Sequence, residues 1–319
     1  MKRLIIFALG VFSLANISKA QTITEKFGTG TEQFTMDFVE VGNPNNPSLY
    51  YGNPQSVGSV SYEYRIGKYE VSREQIIKAG FGTFLQDMTA YGGNGNAKPA
   101  TGINWYEAAQ FVNHLNTSKG YTAAYKFNVS GALQLWTSAE AGYNASNLFR
   151  NTLAVFFLPN MDEWFKAGFY DPNKTPSAMM GKYWSFATGS DSLPTAVSSG
   201  IDPYTAVFSQ QASPADVDKS GGLSPYGTMG QNGNVYEWME TAYDLVNNVP
   251  DEFRGLRGGA WDDGTGSIGF SALNYVNPLT EQSIYGDIGF RVAMIPEPNS
   301  VALLAISGIA LAINKRRRP

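Results

Sequence analysis

Apolar positions along the chain fall into two helical periods and a few short alternating runs. Within residues 104–116, Trp105, Ala108, Ala109, Val112 and Leu115 recur on one helical face. That stripe predicts an amphipathic helix lying on a core. Asn160 followed by Glu163 has the capping-box spacing, and Trp164, Ala167 and Gly168 continue the pattern, so a second helix is predicted from Asn160. Residues 61–69 (Ser-Tyr-Glu-Tyr-Arg-Ile-Gly-Lys-Tyr) alternate aromatic and polar side chains, as a strand does. Residues 256–261 and 289–294 predict short late strands. Gly-, Asn- and Ser-rich pieces recur without a fixed period, and residues 21–298 hold neither a long linker nor an internal repeat. The pattern predicts one irregular, loop-rich α+β domain.

Both ends depart from it. Lys2 and Arg3 precede an apolar run at residues 4–15, and Ser18 and Ala20 stand at the −3 and −1 positions of a cut before Gln21. Residues 1–20 read as a secretory signal peptide rather than an N-terminal anchor. At the other end Pro296-Glu297-Pro298 precedes an apolar run at residues 300–313, and Lys315-Arg316-Arg317-Arg318 follows. The run is short against the ~20 residues a spanning helix needs, a deficit that snorkelling or thinning covers. The basic cluster places the C-terminus on the cytoplasmic side, with the bulk of the chain outside.

Charge changes the picture once these ends are set aside. The whole chain is net −4, but residues 21–298 carry 16 basic and 27 acidic groups, net −11. Nucleic acid is not an expected partner of such a surface; a cation such as calcium is. There is no cysteine, which excludes disulfides and thiolate chemistry, and one histidine, His114, which excludes a multi-histidine metal site. His114 falls with Glu107 and Gln110 on the polar side of its helix and reads as a surface residue.

Six segments, in order, carry a resemblance. They are Ile66-Gly67-Lys68-Tyr69-Glu70-Val71-Ser72; residues 99–116; Leu158-Pro159-Asn160-Met161-Asp162-Glu163-Trp164; Gly233-Asn234-Val235-Tyr236-Glu237-Trp238; Leu256-Arg257-Gly258-Gly259-Ala260-Trp261; and Gly289-Phe290-Arg291-Val292-Ala293. Together they resemble the landmarks of the formylglycine-generating enzyme (FGE)/sulfatase-modifying-factor family. The C-terminal tail resembles the PEP-CTERM sorting signal, and the whole resembles the bacterial subgroup that carries it. The resemblance implies a compact, irregular, single-domain fold akin to C-type lectins. It divides the chain into a signal peptide (1–20), a lead-in (21–36), the FGE-sulfatase-like domain (37–294) and the sorting signal (295–319). It implies export across the inner membrane of a Gram-negative bacterium, transient membrane anchoring by the tail, and an exosortase-type membrane peptidase as partner.

Authentic members of that family oxidise a substrate cysteine with copper held by two cysteines. Counting onto this chain puts Asp263 and Ile268 at those positions, and Ala260 where a serine is usual. A carboxylate and an isoleucine cannot replace thiolates for Cu(I), so no copper is expected. The arginines usual downstream are replaced by Gly269-Phe270-Ser271-Ala272-Leu273. Trp261, Asp262, Asp263, Phe270 and Tyr275 are the candidate binding residues, although Phe270 and Tyr275 serve equally as core filling and Asp262-Asp263-Gly264 serves more simply as a turn. The family's Gly-Asn-Val-Trp-Glu-Trp turn implies Ca²⁺ held by the Glu237 carboxylate and the carbonyls of Gly230, Gly233 and Val235. The alternative is an ion pair from Glu237 to Arg257 or Arg291. A second family calcium site is not expected, because Thr205-Ala206-Val207 occupies its place.

These observations favour a non-catalytic binding or structural module at the cell surface, with a glycan or exopolysaccharide as ligand, since the 18 tyrosines and six tryptophans offer faces for sugar rings. Two readings compete. One is an enzyme of altered chemistry built from Asp262, Asp263, Glu237 and Glu240, or a formylglycine-type activity by another mechanism. The other is a display scaffold without a small ligand.

Overall fold

The computed structural model describes residues 21–50, 56–209, 211–279 and 286–296. The expected signal peptide, and the part of the expected sorting signal beyond Pro296, lie outside the described residues. Nine strands build the two larger sheets: β1 (Thr22–Phe27), β2 (Phe34–Val41), β3 (Tyr64–Gly67), β4 (Phe156–Phe157), β5 (Tyr236–Ala242), β6 (Arg254–Arg257), β7 (Asn274–Val276), β8 (Ile288–Gly289) and β9 (Ala293–Met294). The first sheet runs β1-β2-β3-β9-β4 and is antiparallel throughout. The second runs β7-β6-β5-β8, with β5 and β8 parallel. Short two-strand ribbons decorate the rest.

Residues 21–36, expected as a lead-in, instead begin the first sheet. β1 alternates exposed and half-buried positions as an edge strand, and Thr22 to Phe27 pair in register with Val39 to Phe34. Phe27 and Phe34 close the hairpin with stacked rings 5.3 Å apart. The strand expected at 61–69 is confined to β3. The one expected at 256–261 stops at Arg257, because Gly258 and Gly259 turn the chain at φ +103° and +73°. The one expected at 289–294 divides into β8 and β9, which belong to different sheets.

Among the described residues three α-helices, α1 (Arg73–Lys78), α2 (Trp105–Ser118) and α3 (Met161–Phe169), each start with a capping box, set by Ser72/Gln75, Asn104/Glu107 and Asn160/Glu163. The pairing satisfies two amides that a helix start leaves open. The α2 stripe is buried as its period required, and Phe111 meets Phe290 edge-on at 5.7 Å. Two indoles tie the start of α2 and the residue before its cap to β5: Trp105 Nε1 donates to the Met239 carbonyl (2.9 Å) and Trp238 Nε1 to that of Ile103 (2.8 Å). His114 is half-buried rather than solvated, with Phe81 edge-on at 5.6 Å. No helix among the described residues is long and apolar enough to cross a membrane.

Candidate functional site

The segment after β6 folds as a closed turn. Gly259 is required there: a Cβ would fall 2.8 Å from the Ser267 carbonyl oxygen, and φ is +73°. Asp263 Oδ2 accepts from the Ala260 amide (3.0 Å), and the Asp263 amide donates back to the Ala260 carbonyl (3.2 Å). Burial pushes the Tyr236 hydroxyl, beside this turn, up to about 12. Asp262 is half-buried, its Oδ1 has no hydrogen-bond partner among the described residues, and burial raises its carboxyl. Ile268 is buried with Ala206 and Phe208. Trp261 is only 2% exposed and packs with Met88, Val207, Ala215, Val235 and Ala260. It therefore offers no face to a ligand, contrary to the sequence expectation. Phe270 packs on the main core, and its carbonyl accepts from Arg257 (2.8 Å). Tyr275 does open outward, on a shallow cavity of about 690 Å³ shared with Tyr243, Phe253 and Leu273. Its ring meets Tyr243 edge-on at 4.8 Å.

β5 is buried along almost its whole length, so its two carboxylates need partners inside the protein. Glu237 finds them in Arg291, which donates through Nε and Nη2 at 2.5 Å each, and in Trp164 Nε1 at 2.7 Å. Arg291 also caps the carbonyls of Gly67 and Met229. With a guanidinium already against both oxygens, the Glu237 carboxylate does not fit a calcium ion, which would face that positive charge directly. Gly230 and Gly233 serve close packing in this turn. A Cβ on Gly230 would lie 2.7 Å from Glu70 Oε1, and one on Gly233 would lie 2.0 Å from the Val207 carbonyl oxygen. Val235 is fully buried. Arg257, expected in a carboxylate pair, donates to the carbonyls of Phe270 and Ala272 (2.8 and 3.0 Å).

Glu240, three residues along β5, belongs to a different cluster. Its oxygens accept from Tyr125 Oη (2.9 Å) and Asn147 Nδ2 (2.6 Å). Arg150 bridges it to Glu163, with Nε 3.4 Å from Glu240 Oε1 and Nη1 3.2 Å from Glu163 Oε1. Tyr62 Oη donates to Glu163 at 2.5 Å. Both carboxylates are fully buried, while Arg150 is 15% exposed and reaches the floor of a polar cleft of about 390 Å³. Burial raises the Glu240 carboxyl, against the pull of Arg150. Glu237, Glu240 and the Asp262-Asp263 turn thus have separate partners, and the four carboxylates do not converge as the altered-enzyme reading requires. Arg150, Tyr62 and the second role of Glu163 escaped the sequence reading. Only the three-residue capping spacing of Glu163 was visible there.

The order of these segments has a counterpart among known proteins. The family profile described as Sulfatase-modifying factor enzyme 1-like domain matches residues 24–295. The chain belongs to this family. Among solved structures, the sulfatase-modifying-factor-like domain is similar to Treponema denticola variable protein 1, at 20% identity and TM-score 0.60 over 86% of this chain and 99% of that one. It is also similar to CarF, at 19% identity and TM-score 0.56 over 82% of this chain and 99% of that one. At such identities the likeness is one of fold. No curated protein matches the sequence. In this sulfatase-modifying-factor-like domain the two positions counted onto the family's cysteines are a carboxylate tied into its own turn and an isoleucine inside the core.

Proposed function

We propose that this chain is an exported, surface-sorted member of its family that binds rather than oxidises, with extracellular polysaccharide as its ligand. The observation that carries the reading is the closed turn at Asp263 and Ile268. One side chain is committed to the turn's own amide and the other is buried, and neither is a thiolate, so the turn does not offer the pair of soft ligands that Cu(I) needs. The signal segment and the tripartite tail support delivery to the surface, with an exosortase-type peptidase acting at the tail. The test is direct. Incubating the purified chain with Cu(I), oxygen and a cysteine-bearing peptide, then reading the peptide by mass spectrometry, is expected to show no aldehyde product. Co-sedimentation with the polysaccharide of the producing cells is expected to retain the protein. Aldehyde formation, or no retention, overturns the reading.

A further inference from the structure

The Arg150 cleft lies away from the turn that aligns with the family's cysteines, at the far end of β5. It is assembled from four parts of the chain: Ser56 and Tyr62 near β3, Asn144 to Arg150 before β4, the first turn of α3, and Thr241, Leu245 and Asn247 at the end of β5 and beyond it. At about 390 Å³ it falls at the small end of ligand pockets, which run ~300–1,000 Å³.

The cleft combines a fixed floor with free polar groups around it. In the floor, Arg150 is held between Glu163 and Glu240 and lies over the Phe157 ring at 4.0 Å. Asn147 donates to Glu240 and accepts from Asn247, so that amide pair is fully committed. Around it the partners run out. Asn144 Oδ1 accepts from the Ser146 amide and Asn160 Oδ1 from the Glu163 amide, and each leaves its Nδ2 without a partner among the described residues. Asp162 Oδ1 accepts from the Gly58 amide at 2.7 Å, and Oδ2 has no partner there. The hydroxyls of Ser56 and Ser146 are likewise uncommitted. The cleft therefore presents amide donors, two hydroxyls and one carboxylate oxygen, with Leu245 and Met161 as apolar wall.

Charge narrows the ligand further. Among the described lining residues, Arg150 is already ion-paired to Glu163 and Glu240, and Asp162 keeps one oxygen without a hydrogen bond, so an anionic ligand would meet a carboxylate and no unpaired cation. A neutral polyol meets no such penalty. Its hydroxyls both donate and accept, which suits Asp162 Oδ2 on one side and the amides on the other.

We infer that this cleft binds one neutral sugar unit, held by Asn144, Asn160 and Asp162 over the Arg150 floor. The inference rests on the polysaccharide reading and gives it a place and a class of sugar: neutral hexose, not uronic acid. The experiment uses the purified full chain with methyl glycosides of glucose, galactose and mannose, neutral tetrasaccharides, and glucuronate, read by saturation-transfer NMR and calorimetry. Ser146→Trp fills the cleft from an exposed position, and Asn144→Asp keeps the acceptor for the Ser146 amide while removing the donor; Asn144→Ala removes both, and melting temperatures confirm that the variants fold. The expected result is binding of at least one neutral glycoside. Affinity then falls at least tenfold in Ser146→Trp and several-fold in both Asn144 variants, and glucuronate is bound at least tenfold more weakly. Binding unaffected by Ser146→Trp, or glucuronate bound as well as the neutral sugars, overturns the inference. If sugar binding is lost in Tyr243→Ala instead, the cleft is excluded while the polysaccharide reading stands. If the wild type binds no sugar, both fall.

Discussion

Glu70 is the residue whose chemistry the fold has altered most legibly. It is 2% exposed, and both oxygens accept from Asn234 Nδ2, at 3.0 and 3.1 Å. Asn234 itself stands at φ +63°, a conformation its short amide tolerates better than most side chains. Burial first, and the nearby Glu237 charge second, push the Glu70 carboxyl from 4.5 up to about 8, against the opposing pull of Arg291. An acid whose folded value is raised takes up a proton on folding between those limits. Its contribution is therefore most favourable below about 4.5 and is lost as pH rises toward about 8. Glu70→Gln cannot ionise. Its melting temperature is expected to gain on the wild type steadily across that window, and parallel curves would refute the assignment. The Glu237–Arg291 pair was one of the alternatives open from sequence. The Glu70–Asn234 contact was not, because it joins residues 164 positions apart with no spacing to mark it.

At the scale of elements, what could be read was local. The helix start at Asn160 declares itself within four residues, since a cap and its N3 partner satisfy each other's amides, and α2 declares itself by its apolar stripe. The division of the 289–294 run into β8 and β9 did not, because two-residue strands are placed by neighbours drawn from elsewhere in the chain. The candidate site divided in the same way. The Asp262-Asp263-Gly264 turn was readable, whereas the Glu163–Arg150–Glu240 floor depends on an arginine that carries no sequence signature. The two capping boxes now separate a local role from a tertiary one. Asn104→Ala removes one cap and is expected to cost ~1 kcal/mol. Glu163→Ala removes a cap and also strands Arg150 and Tyr62, so a loss of ~3–5 kcal/mol is expected. Urea denaturation of both variants checks this; equal losses would mean that the Arg150 bridge contributes little.

For the whole molecule, the fold is closed by its last described strand. β9 fills the gap between β3 and β4, pairing Ala293 with Ile66 on one side and Phe157 on the other, and Ile295 adds a bond to Val155. A chain ending at Pro296 is expected to melt within a few degrees of the full-length protein. A chain ending at Arg291 is expected to lose cooperative melting altogether, since an interior strand with two partners is missing. Calorimetry of the two truncations decides it, and a cooperative transition in the shorter one would show that β3 and β4 hold without their bridge.

That bridge also sets a schedule. Synthesis delivers β3 early and β4 midway, yet the strand between them comes last, more than 200 residues after the first partner. Contacts so distant along the chain make folding slow, because the long loop must be ordered before the pairing rewards it. The amino-terminal hairpin can form as it emerges, but the central sheet cannot be completed while the chain is still being fed from a ribosome. Until Met294 is free the edges of β3 and β4 that it will cover stay unpaired, exposed to whatever else can pair with them.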